Sequence, residues 1–151
     1  AYEMLRSLVG SEMCIRDTGK QAFAIRKQTE VYSMNNYSKI SLSENGRTEL
    51  HDALSLTGAE ISVNSLPAGA SVPFVHVHRQ NEEIYAVLEG KGKAEIDGES
   101  IEIKAGDWVR IAPKAKRRFF AADDEGIKYI CIQVKENSLG GYSMADAEIA
   151  Q

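Results

Sequence analysis

From Gly58 onward, apolar and polar residues alternate in short runs separated by turn signals, the period-two pattern of half-buried strands. Ala59, Ile61 and Val63 alternate with Glu60, Ser62 and Asn64 until Leu66-Pro67-Ala68-Gly69 ends the run. In the next alternation Glu83, Tyr85 and Val87 fall on one side and Ile84, Ala86 and Leu88 on the other. Asp97-Gly98, a dipeptide that accepts positive φ in a two-residue turn, joins a run with Ala94 and Ile96 to one with Ile101 and Ile103. Ala105-Gly106-Asp107 turns into Trp108-Val109-Arg110-Ile111, and Asp123-Asp124-Glu125-Gly126 turns into a run from Ile127 to Val134. Seven or eight short strands with turns about every 8 to 12 residues predict an all-β sandwich or barrel. Because open strand edges invite pairing, such a chain is expected to close on itself or to dimerise.

Upstream of Gly58 the alternation is lost. Thr48 is a candidate N-cap ahead of Glu49-Leu50-His51-Asp52-Ala53-Leu54, which predicts a short helical turn within an N-terminal arm over 34–57. Residues 1–33 carry charges throughout and lack the apolar core of a secretory signal. Ser7 to Asp17 resembles translated adaptor sequence, so 1–33 is expected to be a non-native or disordered extension, dispensable for the fold. Met4, Leu5, Leu8 and Val9 have a helical spacing, and a short docked amphipathic helix is the alternative. The tail over 135–151, with Ser138, Gly140 and Gly141, is expected to be a loosely held extension whose Tyr142 and Met144 cover a neighbouring surface.

Composition narrows the class. A chain of 151 residues with 43% hydrophobic residues suits one domain with its own core. It holds no run of 18 or more apolar residues, so no membrane span is expected. A net charge of -4 argues against sequence-independent nucleic-acid binding. Two cysteines, Cys14 and Cys131, are too few for a disulfide framework and point to a reducing, cytoplasmic setting.

Candidate chemistry concentrates in Pro73 to Gly90, PFVHVHRQNEEIYAVLEG. On an extended strand His76 and His78 share one face and Val75 and Val77 the other. If that strand pairs with the run starting at Glu83, two imidazoles and a carboxylate converge, a ligand set that suits a first-row divalent metal such as Fe, Mn, Ni or Zn. Gln80 and Glu82 are substitutes if the register shifts by one. His51 reads as a surface or capping histidine, or as a fourth ligand from the arm. Arg110, Lys114, Lys116, Arg117 and Arg118 form a basic cluster that reads either as a solvated loop or as a site for a carboxylate or phosphate. Alternation lets only one of Arg117 and Arg118 point inward. Tyr85, Trp108, Phe119 and Tyr129 suit barrel or interface packing, with substrate stacking as the alternative and Tyr85 as its site candidate. Cys131, between Ile130 and Ile132, reads as a buried inert thiol.

Gly69, His76, His78, Glu83 and Gly90 together resemble the first motif of the cupin family, with a spacer after Gly69 one residue longer than usual. Gly106 to Pro113 resembles the opening of the second motif, whose closing histidine is missing. That position falls on Arg117 counted from Gly106 and on Arg118 counted from Pro113, and the downstream asparagine is absent in either register. The resemblance covers roughly Gly58 to Val134. It implies a double-stranded β-helix, the cupin-type jelly-roll barrel, over 58–134. It also implies a divalent metal on His76, His78 and Glu83 and a homodimer, while the arginine fork at Arg117 or Arg118 is read as orienting a small anionic molecule. The spacing from Gly106 favours Arg117 as the inward residue. One fold of this kind hosts many activities, so the reaction and the catalytic residues stay open. Two classes remain: a metal-assisted oxygenase, isomerase or lyase, and a metal-free binding or sensory protein without turnover.

Overall fold

The computed structural model describes residues 31–33, 36–42, 46–141 and 146–149. Most of the extension, together with Cys14, Asn45, Tyr142 and Met144, lies outside the described residues. Its last three residues form β1 (Val31–Ser33), which pairs antiparallel with β2 (Ser38–Ile40).

The predicted helical turn exists but begins later than its cap signal. Thr48 lies in β3 (Arg47–Glu49), paired with Val63 of β4 (Glu60–Leu66), because the backbone of this segment is taken up by the ladder. The single turn α1 (His51–Leu54) starts after Leu50 with no side-chain cap. It is held instead by Leu50 N–H donating to the carbonyl of Ile61, and Ser55 closes it in the left-handed region.

Where two separate strands are expected after Glu83, one long strand, β5 (Asn81–Ile96), runs through both alternations. It reaches two sheets because its register shifts between Val87 and Glu89 and because Gly90 (φ 76) lets the backbone turn there. The half before Gly90 lies between β9 (Ile127–Lys135) and β7 (Trp108–Ile111), and β9 continues to β4 and β3. The half after Gly90 lies between β6 (Glu99–Lys104) and β8 (Arg117–Ala121). Asp97 (φ 49) and Gly98 (φ 90) make the tight turn from β5 to β6 that their dipeptide predicts.

The two sheets close over one core. Tyr85, Val87, Ile111, Ile127, Tyr129 and Cys131 come from the first, and Ala94, Ile103, Phe119 and Ala121 from the second. Tyr85 stacks on Phe119 with ring centroids 4.1 Å apart, and Tyr129 closes a three-ring cluster, 5.4 Å from Phe119 and 5.8 Å from Tyr85. This is the all-β barrel expected from the alternation, with the double-stranded β-helix form that the motif resemblance implies. One strand is turned over relative to simple amphipathic reasoning: β4 buries Ser62 and Asn64 and leaves Ile61 and Val63 half-buried on the outer face. The buried pair is satisfied internally, with Asn64 Nδ2 donating to Ser62 Oγ and Arg47 Nη1 donating to Asn64 Oδ1. Outside, Ile61 and Val63 sit opposite Ile132 and Ile130 of β9.

Candidate metal centre and its buried arginine

The segment carrying the two histidines is extended but is no ladder strand, and it does not pair with β5. It runs along β8, bridging at Ser71–Phe120 and at His76–Arg117. His76 and Arg117 exchange backbone hydrogen bonds of 3.2 and 3.0 Å, and the carbonyl of His78 accepts from Lys114 N–H at 2.8 Å. The alternation still holds: His76 and His78 turn inward, and Val75 and Val77 are exposed. Glu83, near the start of β5, meets them from the other sheet.

Glu83 is the hub. Its carboxylate is buried and accepts from four directions. His78 Nε2 lies 2.9 Å from Oε1, and Cys131 Sγ donates to the same oxygen at 3.5 Å. Tyr85 Oη and Arg117 Nε each donate to Oε2 at 2.8 Å. Burial presses this carboxyl upward, but the Tyr85 hydroxyl, the Arg117 guanidinium, His78 and the Cys131 thiol outweigh it and hold it below the usual carboxylate range. Burial lowers the pKa of His76, with Arg117 and His78 reinforcing the effect against the pull of Glu83. Neutral imidazole is the ligand form. The thiol of Cys131 is pushed up to about 12, mainly by burial, which agrees with an inert core cysteine.

Among the described residues His76, His78 and Glu83 are brought together, with their ligand atoms all within 4.8 Å of one another. This donor set fits a divalent ion. Two imidazoles and one carboxylate are the donor chemistry that a first-row divalent ion takes. His76 Nδ1 is buried without a hydrogen-bond partner. The other nitrogen and carboxylate candidates lie elsewhere. His51 is exposed beside Asp52, Gln80 is exposed, and Glu82 pairs with Arg110.

The basic cluster divides by the alternation. Arg117 is fully buried, its Nε on Glu83 and its Nη1 donating to the carbonyl of Ala115 at 2.8 Å, while Nη2 has no partner. Arg118 points the other way, onto the carbonyl of Val72 and Ser71 Oγ, with its guanidinium 4.8 Å from the centre of the Phe120 ring. Lys114 and Lys116 are exposed. Tyr85 touches the site through its hydroxyl, while its ring belongs to the core. Trp108 is 69% exposed. The contact of Cys131 with Glu83 has no signal in the sequence, since it joins residues 48 positions apart.

Known proteins place this geometry. A family model described as a cupin domain matches residues 63–133. A solved structure of a cupin protein from Bacteroides fragilis is 59% identical, with a TM-score of 0.76, covering 78% of this chain and 100% of that one. An uncharacterized protein of Methanocaldococcus jannaschii is 34% identical over 86 residues, 57% of this chain, which spans 64% of that relative's length. The structure of a putative sugar phosphate isomerase from Acidithiobacillus ferrooxidans is 25% identical, with a TM-score of 0.52, covering 59% of this chain and 58% of that one. With the barrel, the His-x-His segment beside Glu83 and a relative matched along its whole length, this chain belongs to the cupin superfamily.

Proposed function

We propose that this cupin binds a divalent metal through His76, His78 and Glu83 and acts on, or holds, a small anionic molecule at that ion. The observation that carries the reading is the convergence of three ligand-capable side chains within 4.8 Å, two of them on one face of an extended segment. The ion, when bound, supplies Lewis acidity or a position for oxygen. Arg117, whose Nη2 is buried without a partner, supplies a donor that an anion's oxygen takes, and Tyr85 Oη holds the Glu83 carboxylate. The likeness to a putative sugar phosphate isomerase supports a phosphorylated compound.

Metal titration calorimetry on the wild type and His76→Ala, with Fe(II), Mn(II), Ni(II) and Zn(II), tests this. The expected result is one site in the wild type and at least about tenfold weaker binding in the variant. Equal affinity in both would remove His76 from the site and the reading with it.

A second reading is favoured by one contact: Arg117 already meets the charge of Glu83 without any ion. On that reading the chain is a metal-free small-molecule binding or sensory cupin. Elemental analysis of the purified protein together with the titration separates the two. A homodimer belongs to both readings, supported by the half-buried outer rows of Ile61, Val63, Ile130 and Ile132 and by exposed Trp108. A monomer mass in light scattering across micromolar concentrations would remove it. No helix among the described residues is long and apolar enough to cross a membrane.

A further inference from the structure

We propose that Arg117 is a resident cation that opposes a divalent metal at the Glu83 carboxylate, so that the pocket loads metal together with a dianion. This rests on the reading of His76, His78 and Glu83 as metal ligands.

The argument is one of charge and of open hydrogen-bonding groups. With neutral imidazoles, the site holds one negative charge on Glu83 and one positive charge on Arg117, in ion contact at 2.8 Å with side chains 2% and 0% exposed. It is balanced as it stands. A divalent ion on the same carboxylate brings a net charge of two into a dry environment, where uncompensated charge is costly. Were the arginine a neutral ligand, that net charge would be one. Arginine does not escape by losing its proton. The excess therefore falls to an exogenous ligand, and a dianion cancels it where a monoanion leaves half.

The site also holds two polar atoms that such a ligand's oxygens would satisfy. Arg117 Nη2 and His76 Nδ1 are both buried and both lack a hydrogen-bond partner. They belong to residues that face each other across the bridge between the histidine segment and β8. Buried polar groups of this kind are normally satisfied, and two on paired residues mark a ligand position more strongly than one. Arg117 is thus a specificity-determining residue: it weakens the bare metal and selects the charge of what accompanies it.

The test uses Mn(II) calorimetry, with electron paramagnetic resonance of the free ion as a second readout, on the full chain at a pH above the imidazole range. Wild type, Arg117→His, Arg117→Met and Arg117→Lys are compared in anion-free buffer, in acetate and in malonate, with circular dichroism confirming the fold of each. Arg117→His and Arg117→Met are expected to bind Mn(II) at least about tenfold tighter than wild type without anion, and Arg117→Lys, which keeps the charge, to show no gain. Malonate is expected to tighten wild-type binding at least about tenfold, acetate far less, and the advantage of malonate is expected to shrink in Arg117→His. Should Arg117→Met fail to fold, Arg117→His carries the comparison. If Arg117→His binds no tighter than wild type, or malonate does no more than acetate, the inference is overturned while metal binding stands. If wild type takes up no Mn(II) in any buffer but Arg117→His does, the metal function is lost for the natural chain and the opposition by Arg117 is upheld. If neither binds, both fall.

Discussion

Replacing Glu83 by glutamine removes one charge and almost no volume, so it isolates what the buried pair contributes. The amide oxygen can still accept from one of Tyr85, His78 or Arg117, but its NH2 group now faces donors, and Arg117 is left charged at 0% exposure. Losing a hydrogen bond to a charged group costs about 1.5–3 kcal/mol, and breaking a buried ion pair from one side costs about 3–5 kcal/mol in all. For a chain of this size, ~2–4 °C per kcal/mol places the melting temperature on the order of 10 °C lower. The assay is urea unfolding in the presence of a chelator, with the slope checked against wild type so that the midpoint reports stability alone. Glu83→Met/Arg117→Met, which removes both charges, is expected to recover most of the loss, because a packed apolar pair is often as stable as a buried ion pair. A Glu83→Gln loss under about 1 kcal/mol, or a double variant no better than the two single losses combined, would refute a dry, charged pair at this position.

Gly90→Ala is expected to cost at least about 3 kcal/mol, because its Cβ would lie 1.8 Å from the carbonyl oxygen of Gly126 at a φ of +76. Gly106→Ala, also at positive φ but in open space, should cost only about 1–2 kcal/mol, and equal losses in thermal melts would show that the close approach is relieved. Glu83 and His76 are both held below their ordinary values, so the unfolded chain binds more protons than the folded one. Stability should therefore fall as pH drops below 6.5 on account of His76 and again below 4.5 on account of Glu83, and a urea midpoint flat across both windows would contradict this. Cys131, 3% exposed with its thiol pushed up to about 12, should resist a thiol reagent until the chain unfolds, and rapid labelling of the folded protein would place it at an open surface.

What the sequence by itself determined was the alternation, the tight turn at Asp97-Gly98, the pairing of His76 with His78 on one face, and a strand through Glu83, which the structure begins two residues earlier at Asn81. Each of these rests on chemistry within a few residues: the period of a strand, the φ a residue tolerates, the spacing of a motif. The tertiary structure decided which face looks inward. Ser62 and Asn64 are buried because Arg47 and their own side chains satisfy them, and Ile61 and Val63 face out because β9 continues their rows there. It also joined the two alternations into β5, since a bulge and a bend are invisible to a pattern that both halves obey. Above all it decided the state of Glu83. Alternation allowed only one of Arg117 and Arg118 inside, and the motif spacing favoured Arg117. That its guanidinium would lie on the carboxylate, 34 positions away, depends on how the sheet holding β8 closes over the one holding the start of β5. Contacts of that length are set by register and closure, which no local pattern records.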